Sequence, residues 1–258
     1  MTTPDPNQIK DFHTKGFAVI PGMLRDLGQI AELRELLQKC IDEDVARYGP
    51  GHVDCGMVHN LMVRGLPFAR LLEHELMHAY LAEILSDTCI VYAYTSSSMP
   101  PCGVNYAHRI HVDCPRLIPG YITNVGVIIA LDDFTAENGA TYFLPGSFTL
   151  WESPSTALFL ERAERVFPKA GDAVIFNART FHMGGPNRTH LPRHALTLNV
   201  CRAYMRQRFD YPRLVPKEIV AALGETGRRF LGYNVRMPTS IEEYYLPEPQ
   251  RLYKAGQG

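Results

Sequence analysis

His108-Arg109-Ile110-His111-Val112-Asp113-Cys114 reads as extended backbone that sets an imidazole and a carboxylate two residues apart. On a strand, positions i and i+2 point to the same face, so His111 and Asp113 can share one metal ion while Val112 turns the other way into apolar packing. The third ligand is expected from a distant strand. The candidate is His182, in the run Gly171-Asp172-Ala173-Val174-Ile175-Phe176-Asn177-Ala178-Arg179-Thr180-Phe181-His182-Met183-Gly184-Gly185-Pro186-Asn187. Two imidazoles and one carboxylate leave open positions on one side of an ion, the facial arrangement suited to non-haem Fe(II) chemistry. A His-x-Asp by itself arises by chance in roughly half of chains of this size and make-up, so the rest of the sequence must support it.

The composition narrows the function classes. Apolar residues make up 46% of the 258 and charged residues 21%, a globular mixture, and the length suits one large domain. A formal net charge of −1 gives no electrostatic reason to expect nucleic acid as a partner. No apolar run approaches the length of a membrane span. Cys40, Cys55, Cys89, Cys102, Cys114 and Cys201 form no C-x-x-C pair, and Met1 to Pro6 lacks the basic and apolar regions of a signal peptide. Reduced thiols and a cytoplasmic location are therefore expected. Cys114, adjacent to Asp113, should face away from the ion as a packed thiol.

Helical and extended patterns alternate in the first third. Asp5 to His13 reads as a short capped helix and Gly16 to Pro21 as a brief strand. Leu24 to Arg47 carries Leu27, Ile30, Leu33, Leu36, Leu37, Cys40 and Ile41 at helical spacing, which predicts an amphipathic scaffold helix. Gly49 to Gly65 is an irregular polar segment whose His52, Asp54, His59, Asn60 and Arg64 are candidates for touching a substrate. Pro67 to Leu85 predicts a second amphipathic helix containing His74-Glu75-Leu76-Met77-His78, a match to the H-E-x-x-H pattern of zinc peptidases. The helix continues into Ala79-Tyr80-Leu81-Ala82-Glu83 without a third His, and no later helix supplies a well-placed Glu. A solvated helical face is the simpler reading of these three residues.

From residue 89 the pattern changes to short β-type runs: Cys89–Tyr94, Val125–Leu131, Thr141–Leu144, Ala173–Phe176 and Ala195–Val200, separated by turn residues. Closely spaced strands of this kind predict a sandwich or barrel, mainly β, with helices packed outside. No repeat or linker interrupts the chain. The expected organisation is a single domain over 1–258, with a helical part at 1–88, a barrel core at about 89–205 and a C-terminal extension at 206–258.

Beyond His182 comes the turn Gly184-Gly185-Pro186-Asn187-Arg188 and then Arg193 at the head of a strand. A guanidinium there can reach an anion beside the metal and grip a carboxylate with two parallel hydrogen bonds. A surface charge near a turn is the plain alternative. Arg202, Arg206, Arg208 and Arg213 follow the last core strand, where they can face solvent or hold an anionic substrate.

Taken together, His111-x-Asp113, Asp132-Asp133-Phe134-Thr135-Ala136-Glu137-Asn138-Gly139-Ala140-Thr141-Tyr142-Phe143-Leu144-Pro145-Gly146-Ser147, Gly171-Asp172, His182-x-Gly184-Gly185-Pro186-Asn187 and Arg193 resemble the phytanoyl-CoA dioxygenase-like family of Fe(II)/2-oxoglutarate oxygenases. The opening Phe12 to Pro21 and the tail from Leu231 to Tyr253 are similar too. The resemblance implies a double-stranded β-helix, the jelly-roll barrel of the cupin type. It implies Fe(II) on His111, Asp113 and His182, with 2-oxoglutarate and O2 as cosubstrates and succinate and CO2 released. Arg193 would then hold the distal carboxylate of 2-oxoglutarate and Thr141 would hydrogen-bond the cosubstrate. Arg109 would face it from a position where relatives carry a polar residue, though with a charge in place of a neutral amide. Phe148 stands where many relatives have His. Because Asp113 is present, halogenation, which needs a small residue there, is not expected. The expected activity is hydroxylation or another oxidative change, ring closure included, of a small molecule such as a natural-product or sugar-derived intermediate. Two other readings remain: a zinc metallopeptidase using His74, Glu75 and His78, and a non-catalytic ligand-binding barrel. The sequence leaves the oligomeric state open.

Overall fold

The computed structural model describes residues 3–51 and 56–257. His52, Asp54 and Cys55 lie outside the described residues. The chain opens with α1 (Pro6–Lys15), whose first turn is capped by the Asp5 carboxylate accepting the Asn7 N–H. Gly16 ends it in the left-handed region at φ 90°, a conformation that favours glycine, and turns the chain into β1 (Phe17–Ile20). Next comes α2 (Leu27–Tyr48), capped by Asp26 and starting three residues later than the sequence predicts.

The single helix expected over Pro67 to Leu85 is broken. It divides into α3 (Leu66–Arg70), a 3-10 turn at Leu71–Glu73, and α4 (Glu75–Ile84). Leu71 and Leu72 are buried, and the Glu73 carboxylate accepts the Gly224 N–H at 2.6 Å. These constraints turn the chain at His74, which is extended (φ −68°, ψ 112°) and caps α4. Hydrophobic periodicity could not show the break because the apolar stripe continues through it.

The strands form two antiparallel sheets. The larger runs β1, β6 (Ala173–Asn177), β3 (Asn124–Ala130), β8 (Ala195–Cys201), β2 (Ile90–Ser96). The smaller runs β5 (Glu164–Arg165), β4 (Tyr142–Phe143), β7 (His182–Met183). The two-residue strands β5 and β7 are too short for a period-2 pattern to announce them. In the chain α5 (Thr156–Arg162) lies between β4 and β5, and α6 (Tyr211–Leu214), α7 (Lys217–Ala222), α8 (Glu225–Phe230) and α9 (Ile241–Tyr244) follow β8. Helices hold more residues than strands, so the architecture is mixed α/β and not mainly β. Among the described residues the two sheets do not close into one barrel.

Both faces of the large sheet are covered. Val125, Val127, Ile129, Leu196, Leu198 and Val200 point outward into a core shared with α2, α3, α4 and α8. Ile128, Ala130, Val174 and Phe176 point inward and pack with Phe143 from the small sheet. The inward positions become polar toward one end of the strands, where Thr95, Thr197, Asn124 and Asn199 replace the apolar series. Thr95 and Thr197 share a hydrogen bond of 2.7 Å, and Asn124 donates to the Asn199 side-chain oxygen at 2.8 Å. Polar groups on an otherwise apolar inner face mark where a site can be built. Among the described residues, no helix is long and apolar enough to cross a membrane.

Candidate metal centre

His111 and His182 meet through their backbones. Each donates its N–H to the other's carbonyl, at 3.1 and 2.9 Å, in a single antiparallel bridge. Asp113 then turns back, its N–H donating to the Ala178 carbonyl at 2.9 Å. The stretch from 108 to 114 is therefore not a strand; it is an irregular segment pinned at His111 and Asp113 to the chain from Ala178 to His182. The expected side-chain outcome still follows. The ligand atoms of His111, Asp113 and His182 all lie within 4.8 Å of one another, and no other such group of three occurs among the described residues.

The ring nitrogens are oriented for an ion. The Nδ1–H of His111 donates to the Arg109 carbonyl at 2.8 Å, and that of His182 to the Thr180 carbonyl at 3.0 Å. With Nδ1 protonated, the lone pair sits on Nε2, and both Nε2 atoms face Asp113 Oδ1, at 3.7 and 3.8 Å. Ligands at right angles around an ion at about 2.1 Å stand about 3 Å apart. Closing the observed spacing to that value takes shifts of under about one ångström, so the donor set fits a divalent ion that takes N and O ligands. Burial, reinforced by the His182 imidazole, pushes His111 down to about 4 and keeps it neutral, the form that binds metal. Phe176 and Phe143 pack against the His182 ring, with centroids 4.9 and 5.5 Å from its own, holding its plane.

A cavity of about 240 Å³ opens beside the three ligands and is lined also by Arg193, Thr141 and Arg109. Arg193 is 2% exposed, yet no carboxylate stands within ion-pair distance of it among the described residues. Its terminal nitrogens donate long bonds to the Ser97 and Gly139 carbonyls, at 3.3 and 3.4 Å, and its Nε is buried without a partner. The guanidinium lies 4.0 Å from the Phe134 ring centroid. Burial pulls its pKa down to about 10, which is still charged at neutral pH. A buried cation with unmet donors beside three metal-competent side chains is suited to a carboxylate. Thr141 is buried on the same wall, and Arg109 is exposed at the rim.

Several residues lining this cavity are not singled out by motif reading. Thr95, Thr197 and Asn199 sit on inward strand positions, so alternation on β2 and β8 carried the signal. Tyr106, in an irregular segment, had none. Arg208 belongs to the arginine cluster but lines this cavity. Cys114 does not; its thiol lies 3.6 Å from the Thr123 hydroxyl, on the wall of a separate cavity.

The other candidates are placed elsewhere. His74 Nδ1 accepts the Met77 N–H, and His78 Nε2 bonds the Leu72 carbonyl at 2.7 Å, with its ring edge-on to Phe230. Both rings are half-buried and serve the helix, so the expectation of a solvated face is corrected for the two histidines, while Glu75 is exposed as expected. Arg64 pairs with Asp44 and Glu43 of α2, and His59 bridges to Thr95 by backbone; both are scaffold contacts.

Residues 12–195 match the family model described as phytanoyl-CoA dioxygenase (PhyH). The uncharacterized protein Rv1501 of Mycobacterium tuberculosis is 28% identical over 262 residues, covering 98% of this chain and 96% of that protein. The dioxygenase ALT11 of Alternaria alternata is 27% identical over 267 residues, covering 92% of this chain and 84% of the relative. Among solved structures, the epimerase SnoN in complex with Fe3+, α-ketoglutarate and nogalamycin RO superposes with a TM-score of 0.60 at 21% identity, over 76% of this chain and 83% of that one.

Proposed function

This chain belongs to the phytanoyl-CoA dioxygenase family, and from that premise we propose that it is an Fe(II)- and 2-oxoglutarate-dependent oxygenase acting on a small molecule. The two sheets are read as the halves of a double-stranded β-helix, and the whole chain as one catalytic domain. We take the reaction to be hydroxylation, or an oxidative step such as ring closure, of a natural-product or sugar-derived intermediate; in support, one relative is named a dioxygenase, and the structural neighbour SnoN is an epimerase from nogalamycin biosynthesis. The observation that carries the reading is the pairing, in one cavity, of three metal-competent side chains with a buried arginine that lacks a counter-ion.

His111, Asp113 and His182 would hold the iron, with Nε2 of each imidazole and Oδ1 of Asp113 as ligand atoms. The carbonyls of Arg109 and Thr180 hold the proton on Nδ1 of each imidazole, which leaves Nε2 as the atom offered to a metal. Arg193 would take the distal carboxylate of 2-oxoglutarate, Thr141 would add a hydroxyl donor on the same wall, and Arg109 would face the cosubstrate from the rim. When bound, iron with 2-oxoglutarate and O2 supplies the oxidising power, and succinate and CO2 are the by-products. Phe134, Phe143 and Phe176 keep water from the far side of the ligands and of Arg193.

Calorimetric titration with Mn(II), and then with 2-oxoglutarate on the metal-loaded protein, tests the reading. One equivalent of each is expected, with 2-oxoglutarate binding dependent on the metal. Absence of metal binding would leave the non-catalytic barrel as the better account.

A further inference from the structure

Among the residues lining the metal cavity, the carboxylates and guanidiniums are unequal in number. Asp113 is the one acidic lining residue, whereas Arg193 lies at the base and Arg109 and Arg208 lie at the rim. Both rim arginines are exposed, and neither has a carboxylate within 4.0 Å among the described residues. Their neighbours in the sequence are settled differently. Arg213 stands 3.8 Å from Asp210, and Arg202 donates to the Ile122 carbonyl at 2.8 Å while lying over the Tyr121 ring. Arg208 alone of this cluster is directed to the metal cavity.

The position of Arg208 is built by the fold. Its backbone N–H donates to the Tyr92 carbonyl at 3.0 Å, tying the segment after β8 to β2, and its guanidinium sits 5.6 Å from the Tyr92 ring centroid. Tyr106 lines the same cavity as Arg208, Arg193 and Asp113, so the three charges border one volume.

We propose that the molecule oxidised at this site carries an oxyanion, a carboxylate or a phosphate, that is held at the cavity rim by Arg208 with Arg109 beside it. This rests on the reading of the cavity as an Fe(II)/2-oxoglutarate site. In that reading a divalent ion, Asp113, the 2-oxoglutarate dianion and Arg193 cancel in formal charge, and the rim arginines are left in excess. If Arg109 turns to the cosubstrate, Arg208 still remains unmatched. A guanidinium presents a planar fork that fits either oxyanion. An ion pair in open water contributes little, but at the mouth of a cleft the walls focus the field and raise the local concentration of anions. The same excess disfavours a cationic substrate, which would meet two like charges on entry.

The test uses the full chain loaded with Mn(II), so that nothing turns over, and saturated with 2-oxoglutarate. Phenylacetate, phenyl phosphate and the neutral phenylacetamide are titrated by calorimetry into the wild type, Arg208→Gln and Arg208→Lys. At least one anionic probe should bind at least tenfold more tightly than the amide, and the stronger of the two identifies carboxylate or phosphate as the source. Arg208→Gln should lose at least tenfold of that preference, Arg208→Lys should restore part of it, and both should keep wild-type affinity for 2-oxoglutarate within about twofold. Equal binding of anion and amide, no binding of either anion, or a preference that survives in Arg208→Gln would overturn the proposal. The 2-oxoglutarate titration in the same samples separates this from failure of the functional reading: if wild type takes no 2-oxoglutarate, the premise itself falls.

Discussion

The histidines around α4 and those of the metal cavity are alike in being withdrawn from water, but their ring nitrogens are engaged differently. His74 accepts the Met77 N–H and also bonds the Met23 backbone, while His78 bonds the Leu72 carbonyl. His111 and His182 use only Nδ1 on carbonyls and turn Nε2 toward a shared carboxylate. The first pair matches the rarer sequence pattern, and the second comes from segments distant in the chain. Metal competence is therefore decided by which ring atom remains free and what it faces, and spacing along the chain does not report that.

The largest effect should come from the carboxylate. Asp113→Ala removes the anionic ligand, and metal affinity should fall by more than about a hundredfold, the upper end of the cost of losing a group that merely orients a ligand. Turnover of 2-oxoglutarate should vanish with it. Titrating Mn(II) into the variant checks this, and wild-type affinity there would erase the contrast between the two histidine pairs.

Next in size is Arg193. Arg193→Ala should weaken 2-oxoglutarate binding by about 2–5 kcal/mol, and Arg193→Lys should recover only part because an ammonium cannot make the fork. Metal binding should survive both changes. Unchanged cosubstrate affinity in Arg193→Ala would move the assignment to Arg109.

A smaller effect is expected from the packing behind His182. Gly126 lies on β3 directly under the Phe176 ring, and a methyl there would run into that ring. Phe176 in turn packs on His182. Gly126→Ala should lower stability by about 1–3 kcal/mol through overpacking, and weaken metal binding by displacing His182. Thermal unfolding with and without Mn(II) separates the two effects: the metal-induced rise in Tm should shrink.

The smallest effect on metal is predicted for the α4 pair. The double variant His74→Ala, His78→Ala should keep wild-type metal content and lose about 1–2 kcal/mol of stability with the helix cap and the buried hydrogen bond. Burial depresses the pKa of both rings. The unfolded chain thus binds more protons than the folded one below the ordinary histidine value, about 6.5. Their contribution to stability is complete above that pH and declines as pH falls through the depressed values. Denaturant unfolding at pH 7 and pH 5 should show a shallower acid loss in the double variant than in wild type. Loss of a stoichiometric zinc from it would instead restore the peptidase reading.

The amino-acid sequence by itself determined the pieces whose signal is local. The capped helix at Asp5, the long stripe of α2, the alternating or continuous apolar runs of β2, β3, β6 and β8, and the three candidate ligands were legible because period, capping and motif act within a few residues, whereas the Asp26 cap, which starts α2 three residues late, was not read. Tertiary structure decided the rest. It broke the helix at His74, because burying Leu71 and Leu72 and tying Glu73 to Gly224 outweighs local periodicity. It replaced the expected strand at His111 with an irregular segment held by a single bridge to His182, and still converged the ligands because Asp113 is anchored separately to Ala178. It also distinguished Arg193, buried without a counter-ion, from Arg213, paired at the surface. Charge alone is identical in the two; only the three-dimensional neighbourhood sets how much solvent and which partners each guanidinium has.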